Sequence, residues 1–349
     1  MQRIALAPDH EISRVIRGGW QMAGGHGAVD RRRAVDDMIA FADAGITTFD
    51  CADIYTGVEE LIGAFRRDYA NRRGTEALAR IRVHTKYVPD LDLLPRVSRL
   101  DVEEVIDRSL RRLGAERLDL VQFHWWDYAV PGSLRVAHLL DDLRRAGKIR
   151  HVGGTNFDTE HLAAMVDSGV PLLSMQVQYS LLDRRPEKAM RAAAAARGVA
   201  LLCYGTVAGG FLGDRWLGER EPEGPLENRS LIKYKLVIDD LGGWDLFQAL
   251  LATLRGIADR HHSDIATVAS AAMLARPGVA AVIVGARNRD HLAANLAISD
   301  LALDADDLGA ISAVVAEARS LAGDVYTLER DRSGRHGAIM KYNLNRGAA

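Results

Sequence analysis

Three titratable residues close three β-like runs of this chain. Asp50 ends TTFD (47–50), Lys86 ends IRVHTK (81–86) and His124 ends LDLVQFH (118–124). Tyr55 follows Asp50 by one short loop. A single charged residue at a strand end is ordinarily a rim salt bridge, but packing alone does not select four such groups in register. A free phenol, with a pKa near ~10, is a poor proton donor at neutral pH. An adjacent ammonium favours the phenolate, and a carboxylate holds that ammonium in place. A neutral imidazole can donate to the oxygen that receives the proton and so orient it. Asp50, Tyr55, Lys86 and His124 therefore suit general acid catalysis on a carbonyl oxygen becoming an alkoxide. Nucleophilic chemistry lacks its parts. No G-x-S-x-G occurs, and Cys51 and Cys203 have no evident histidine partner. No metal site is expected: His10-Glu11 lacks the second histidine of a zinc helix, and His124 and Asp127 lack a third ligand.

The elements that must position these groups alternate regularly. A first strand near Val15–Trp20 is followed by the three above. IRHVGG (149–154), LLSMQVQ (172–178), VALLCY (199–204) and AVIVGA (281–286) complete eight. Between them run amphipathic helical stretches. One is DVEEVIDRSLRRLG (101–114), with Val102, Val105, Ile106, Leu110 and Leu113 on one face and Gly114 at the stop. Another is SLRVAHLLDDLRRAG (133–147). Asp50, Lys86 and His124 recur at the interval of one βα unit, and eight such units close a barrel. An open dinucleotide-binding sheet would carry its glycine fingerprint after the first strand, and GGHGAVD (24–30) does not match it. The expected fold is thus a single α/β domain over residues 1–349, a (β/α)8 TIM-type barrel spanning about 15–310. It carries a long irregular loop after the seventh strand and a C-terminal extension over about 322–349. The active site of such a barrel lies at the C-terminal ends of the strands, where all four groups fall. Trp20, Trp125 and Trp126 also fall there and read as an apolar substrate pocket.

Composition limits the partners. Lys and Arg number 45 against 47 Asp and Glu in 349 residues, so the chain lacks the positive charge that nucleic-acid binding rests on. No uncharged stretch reaches the ~20 apolar residues of a membrane span. With two cysteines and no leader-like N-terminus, a cytoplasmic location is expected.

Several motifs together resemble the aldo/keto reductase family. They are GITTFDCADIYTG (45–57), HTKY (84–87), LGAERLDLVQFHWWD (113–127), GGTNF (153–157), QVQYSLLDR (176–184), CYGTVAGGFL (203–212) and VGARNRDHLAANLA (284–297). The resemblance implies an NADP(H)-dependent reductase of an aldehyde or ketone. Tyr55 would be the proton donor, Lys86 and Asp50 the pair that tunes it, and His124 the residue that orients the carbonyl. Thr155, Asn156 and Gln176 would hold the nicotinamide carboxamide, and Tyr204 would stack on its ring. Gly205, Thr206, Gly209, Gly210 and Phe211 would approach the pyrophosphate. Gly285, Arg287, His291 and Asn295 would meet the adenosine end. The chain departs from the family's common wording at the pyrophosphate loop, at Val284, where proline is usual, and at His291. Two other readings share these residues. One is a sugar or alcohol dehydrogenase running in the oxidation direction; the other is a nucleotide-sensing subunit of the channel β-subunit type.

Overall fold

Eight parallel strands close on themselves, and a short antiparallel hairpin seals one end of the cylinder they form. The computed structural model describes residues 1–23 and 29–345. Residues 24–28, within the GGHGAVD run, and 346–349, at the end of the tail, lie outside the described residues. The hairpin pairs β1 (Arg3–Ala7) with β2 (His10–Ser13) through the turn at Pro8-Asp9. The barrel strands are β3 (Val15–Gly18), β4 (Thr48–Asp50), β5 (Arg82–Tyr87), β6 (Leu118–Phe123), β7 (Ile149–Thr155), β8 (Leu172–Gln178), β9 (Ala200–Tyr204) and β10 (Val279–Gly285). Each pairs with its neighbours in sequence, and β10 closes on β3. The expected barrel and its eight strands are therefore present.

Burial explains the strands. All but their end residues are shielded on both faces, as in parallel sheets covered by helices. Ile16, Leu120, Leu202 and Ile283 fill the lower interior, and Ile12 of the hairpin continues that cluster downward. The hairpin was not expected from the sequence. Its signal is short: Ile4 and Leu6 alternate with Arg3 and the small Ala5 and Ala7, and Pro8-Asp9 presets a turn.

The helices form the outer layer. Arg99–Leu113 opens on a reciprocal cap between Ser98 and Asp101 and stops at Gly114, whose φ of 58° is left-handed. The segment after β9 is not the uninterrupted loop its Gly, Pro and charge content suggested. It contains a helix, Arg229–Leu241, capped by the Asn228 side chain. Leu231, Tyr234, Val237, Ile238 and Leu241 are buried along it at helical spacing. The tail beyond Leu321 crosses the mouth of the barrel with two short helical turns, Thr327–Arg330 and Arg335–Ala338. Tyr342 O accepts from Leu91 N, and Asp90 accepts from the amides of Leu344 and Asn345, so the tail reaches the loop after β5.

Under the barrel, three imidazoles meet. His10 Nε2 lies 3.0 Å from His84 Nε2, and His151 packs edge-on to His10 while bonding Asp9. Burial, with the neighbouring charges, pushes His10 down to about 2 and His84 to about 3. In the unfolded chain both bind protons below about pH 6.5, so the folded state loses stability as the pH falls from there toward about 3. Unfolding free energy is therefore expected to fall between about pH 7 and pH 4, by up to about 1.4 kcal/mol per pH unit for each imidazole, and the melting temperature with it. His84→Gln should flatten that slope in a pH series of thermal scans. An equally steep slope in the variant would exclude the imidazole pair as its cause.

Candidate active site

Asp50 is the last residue of β4, Lys86 sits near the end of β5, and His124 follows β6. All three are 5% exposed or less. Lys86 Nζ donates to Asp50 Oδ2 at 2.6 Å and to the Cys51 carbonyl at 2.8 Å. The other Asp50 oxygen accepts from Gln122 Nε2 at 2.9 Å and Gln176 Nε2 at 2.7 Å. Asp50, Gln122 and Gln176 come from β4, β6 and β8, alternate strands of the barrel, as the members of one interior layer do. A buried ion pair is costly unless further hydrogen bonds satisfy its remaining atoms, and the two glutamines supply them. Burial works to lower the Lys86 pKa, but Asp50 and Tyr55 outweigh it and hold it above the usual lysine range. The ammonium lies 5.1 Å from the centre of the half-buried Tyr55 ring. Burial raises the Tyr55 pKa, and Lys86 opposes that rise without overcoming it. The phenol therefore stays protonated through neutral pH, with a cation beside it to favour the phenolate as it forms.

His124 differs from its expected role. Its Nδ1 lies 3.0 Å from the Thr155 carbonyl, which can only accept, so Nδ1 carries the proton. Burial, helped by Arg330, pushes the His124 pKa down to about 3, so the ring is neutral and Nε2 presents a lone pair. That Nε2 is buried and has no partner among the described residues. In this tautomer Nε2 can accept from a hydroxyl and cannot donate to a carbonyl.

Thr155, Asn156, Gln176 and Tyr204 gather at the ends of β7, β8 and β9. Asn156 adopts φ 61°, and its Oδ1 accepts from Tyr204 OH at 2.8 Å. This leaves its NH2 to donate, and Gln176, whose amide NH2 faces Asp50, keeps its oxygen to accept. Such a donor and acceptor pair fits a primary carboxamide, and the buried Thr155 Oγ1 also lacks a partner among the described residues. At the far end, Gly285, Arg287 and His291 are exposed, while the buried Asn295 has an unpartnered Nδ2. The residues present thus fit a nicotinamide dinucleotide.

Three expected contacts are not made by side chains. Thr206 is buried with its Oγ1 3.0 Å from Ser270 Oγ. Phe211 packs among Trp216, Trp244 and Phe247. Only their backbones remain for the pyrophosphate. Gly205 and Gly209 have φ of 79° and 65° and lie so close to Tyr234 that a Cβ would collide with it. Gly210, by contrast, is open. Trp125 is fully buried, its indole N–H donating to the Asp127 and Val130 carbonyls, so it shapes its own loop and does not line the pocket. Trp126 packs edge-on to His124 at 4.3 Å and Trp20 to Tyr55 at 5.1 Å between ring centres.

Further residues stand at the mouth, of which Tyr326 is signalled by its apolar character in the tail and the others are not. Tyr326, buried in the tail, lies 5.6 Å from the His124 ring, and Lys233 lies 5.4 Å from the rings of both Tyr204 and Tyr326. Glu329 pairs with Arg185 at 3.0 Å, and Arg185 with Asp183 at 2.6 Å. Gln122 had a usable signal, lying two residues before His124 and so on the same face of β6. Tyr326 had one in its apolar character within an otherwise polar tail, whereas Lys233 and Glu329 had none, because only the tertiary fold brings them over the barrel.

A barrel with this polar layer at its mouth, a protonated phenol beside an ammonium and a carboxamide cradle is an oxidoreductase site. The chain belongs to the aldo/keto reductase family, whose model matches residues 14–316; this family works with a nicotinamide cofactor. It is 26% identical over 322 residues to the NADH-specific methylglyoxal reductase of Escherichia coli (strain K12), covering 88% of this chain and 96% of that one. It is 29% identical over 254 residues to flagellar radial spoke protein 5 of Chlamydomonas reinhardtii, covering 62% of this chain and 47% of that longer protein. The glycerol dehydrogenase AKR11B4 of Gluconobacter oxydans has the same fold, with a TM-score of 0.74 at 23% identity over 90% of this chain and 95% of that one.

The Asp50 layer makes a stability prediction. Asp50→Ala leaves Lys86 buried without its partner and should cost about 3–5 kcal/mol, measured as a lower denaturant midpoint. A midpoint within error of wild type would mean that the layer is not held by this carboxylate.

Proposed function

We propose that this chain is an NADP(H)-dependent carbonyl reductase that turns an aldehyde or ketone into an alcohol. The observation that carries the reading is the buried Asp50–Lys86 pair beside the protonated Tyr55 phenol, at the mouth of a barrel whose carboxamide cradle is Asn156 and Gln176. The nicotinamide, when bound, supplies the hydride. Tyr55 gives its proton to the substrate oxygen, and Lys86, fixed by Asp50, stabilises the phenolate left behind. Trp20, Trp126 and Tyr326 surround the substrate with apolar surface and exclude water. Both cysteines are buried and unpaired, in keeping with a reducing cytoplasm. A second reading, oxidation of an alcohol, is favoured by one observation: the lone pair of His124 Nε2 suits the hydroxyl of an alcohol. The same residues serve it once the Tyr55 phenol has lost its proton: the hydroxyl hydrogen held by His124 as the alcohol binds then passes to the phenolate.

Tyr55→Phe keeps the ring and removes the acid. Its kcat for an aromatic aldehyde is expected to fall about 10²-fold or more, with cofactor affinity nearly unchanged. Near-normal turnover, followed by NADPH absorbance, would sink this mechanism.

Cofactor choice rests on Arg287. It is exposed after β10, and its guanidinium has no hydrogen bond or ion pair among the described residues. A fork free at this place suits the two charges of an adenosine 2′-phosphate. The relative named NADH-specific lies on the other side of this choice. NADPH is expected to bind more tightly than NADH. Arg287→Ala should weaken NADPH by about 10- to 150-fold, the loss of one charged hydrogen-bond partner, and leave NADH almost untouched. Fluorescence titrations of both cofactors decide it, and equal losses would assign Arg287 to the loop rather than to the phosphate.

A further inference from the structure

Arg330 reaches from the tail into the wall of the site and binds two loops at once. Its Nη1 donates to the carbonyls of Trp125 at 2.6 Å and Trp126 at 3.1 Å, the two residues after His124. Its Nη2 donates to the Asn156 carbonyl at 2.6 Å, the residue after Thr155, and to Tyr128 OH at 2.7 Å. The guanidinium lies 4.0 Å over the Tyr128 ring. No carboxylate pairs with it among the described residues, so its charge is met by main-chain carbonyls and aromatic faces.

We infer that Arg330 is a positioning residue of the reaction, a clamp that holds the His124 loop and the Asn156 turn in one arrangement. The inference rests on the reductase reading for what those two residues do. The acceptors are the reason. His124 is oriented by the Thr155 carbonyl, so any slip between the loop after β6 and the turn after β7 turns the imidazole. Asn156 sits in a left-handed conformation that asparagine tolerates better than most residues, and Arg330 holds its carbonyl. A planar fork with donors in fixed directions can grip both loops, and a lysine point charge cannot. The tail does not need this residue for attachment. Glu329 already pairs with Arg185, Asp240 with Arg335 and His336, and the Ile339 carbonyl with Arg229.

The clamp also brings a cation to the mouth. The titratable groups that face His124 are Arg330 and Tyr326, both from the tail. Arg330 is the one whose charge opposes protonation of the imidazole.

Two full-length variants test this. Arg330→Ala is expected to lower kcat for a wild-type substrate by about 10- to 100-fold, the scale of a small misplacement, and added guanidinium ion should restore part of it. In the free protein, the His124 ring proton followed by NMR should titrate at higher pH in Arg330→Ala than in wild type, moving toward about 6.5. Arg330→Lys separates charge from shape: kcat falls while the imidazole titrates as in wild type. Wild-type kcat in either variant overturns the proposal, as does an unmoved titration in Arg330→Ala. If Arg330→Ala does not fold, Arg330→Lys decides: a lowered kcat at an unchanged melting temperature supports the clamp, and an unchanged kcat overturns it. If wild type reduces no carbonyl, the reductase reading has failed. The clamp is then judged by the NMR titration, which needs neither substrate nor cofactor.

Discussion

The carboxylate of Asp50 is the constraint on which the site is built. It binds an ammonium on one oxygen and two amides on the other, and those partners arrive on β5, β6 and β8. In the closed cylinder, each of these strands has its register set by both neighbours, so the four side chains reach one level only if the whole barrel is correctly staggered. The charge pair is affordable in the interior because nothing in it is left unbonded. Its rigidity is passed on: Lys86 stands at one place beside Tyr55, and Gln176 is turned so that its oxygen faces the cradle.

Much of this was legible because parallel strands buried on both faces write themselves as short apolar runs, and a polar residue at the end of such a run stands out. All eight barrel strands were found that way, and so were Asp50, Lys86 and His124 at their ends; Tyr55 was read from the loop after Asp50. The hairpin β1–β2 was missed because each of its strands offers only a few residues of alternation. The helix 229–241 was hidden by the glycines, prolines and charges before it, although its buried positions keep helical spacing. Trp125 and Trp126 show a sharper limit. They are adjacent and chemically identical, yet one closes its own loop and the other faces His124. Sequence places both at the right end of the barrel, and only the loop's path divides them. The polarity of His124 was likewise set by a carbonyl on the next strand, which no side-chain pattern announces.

The segments outside the regular barrel have divided its two ends between them. The hairpin fills the bottom with apolar side chains and sets His10 against His84 and His151. The tail and the insertion after β9 meet across the top through Lys233, Glu329 and Arg185. Stability is concentrated at one end and chemistry at the other, with the interior layers of the barrel between them.

The tail also makes the mouth lopsided. Tyr326 and Trp126 wall the His124 side, Tyr342 backs Trp126 at 5.1 Å, and the part-exposed Trp20 stands on the Tyr55 side. On the reductase reading proposed above, an unsymmetrical ketone with its oxygen at Tyr55 would have two ways to lie, made unequal by that wall: the bulkier substituent would turn away from the tail, toward Trp20, and one hand of the alcohol would predominate.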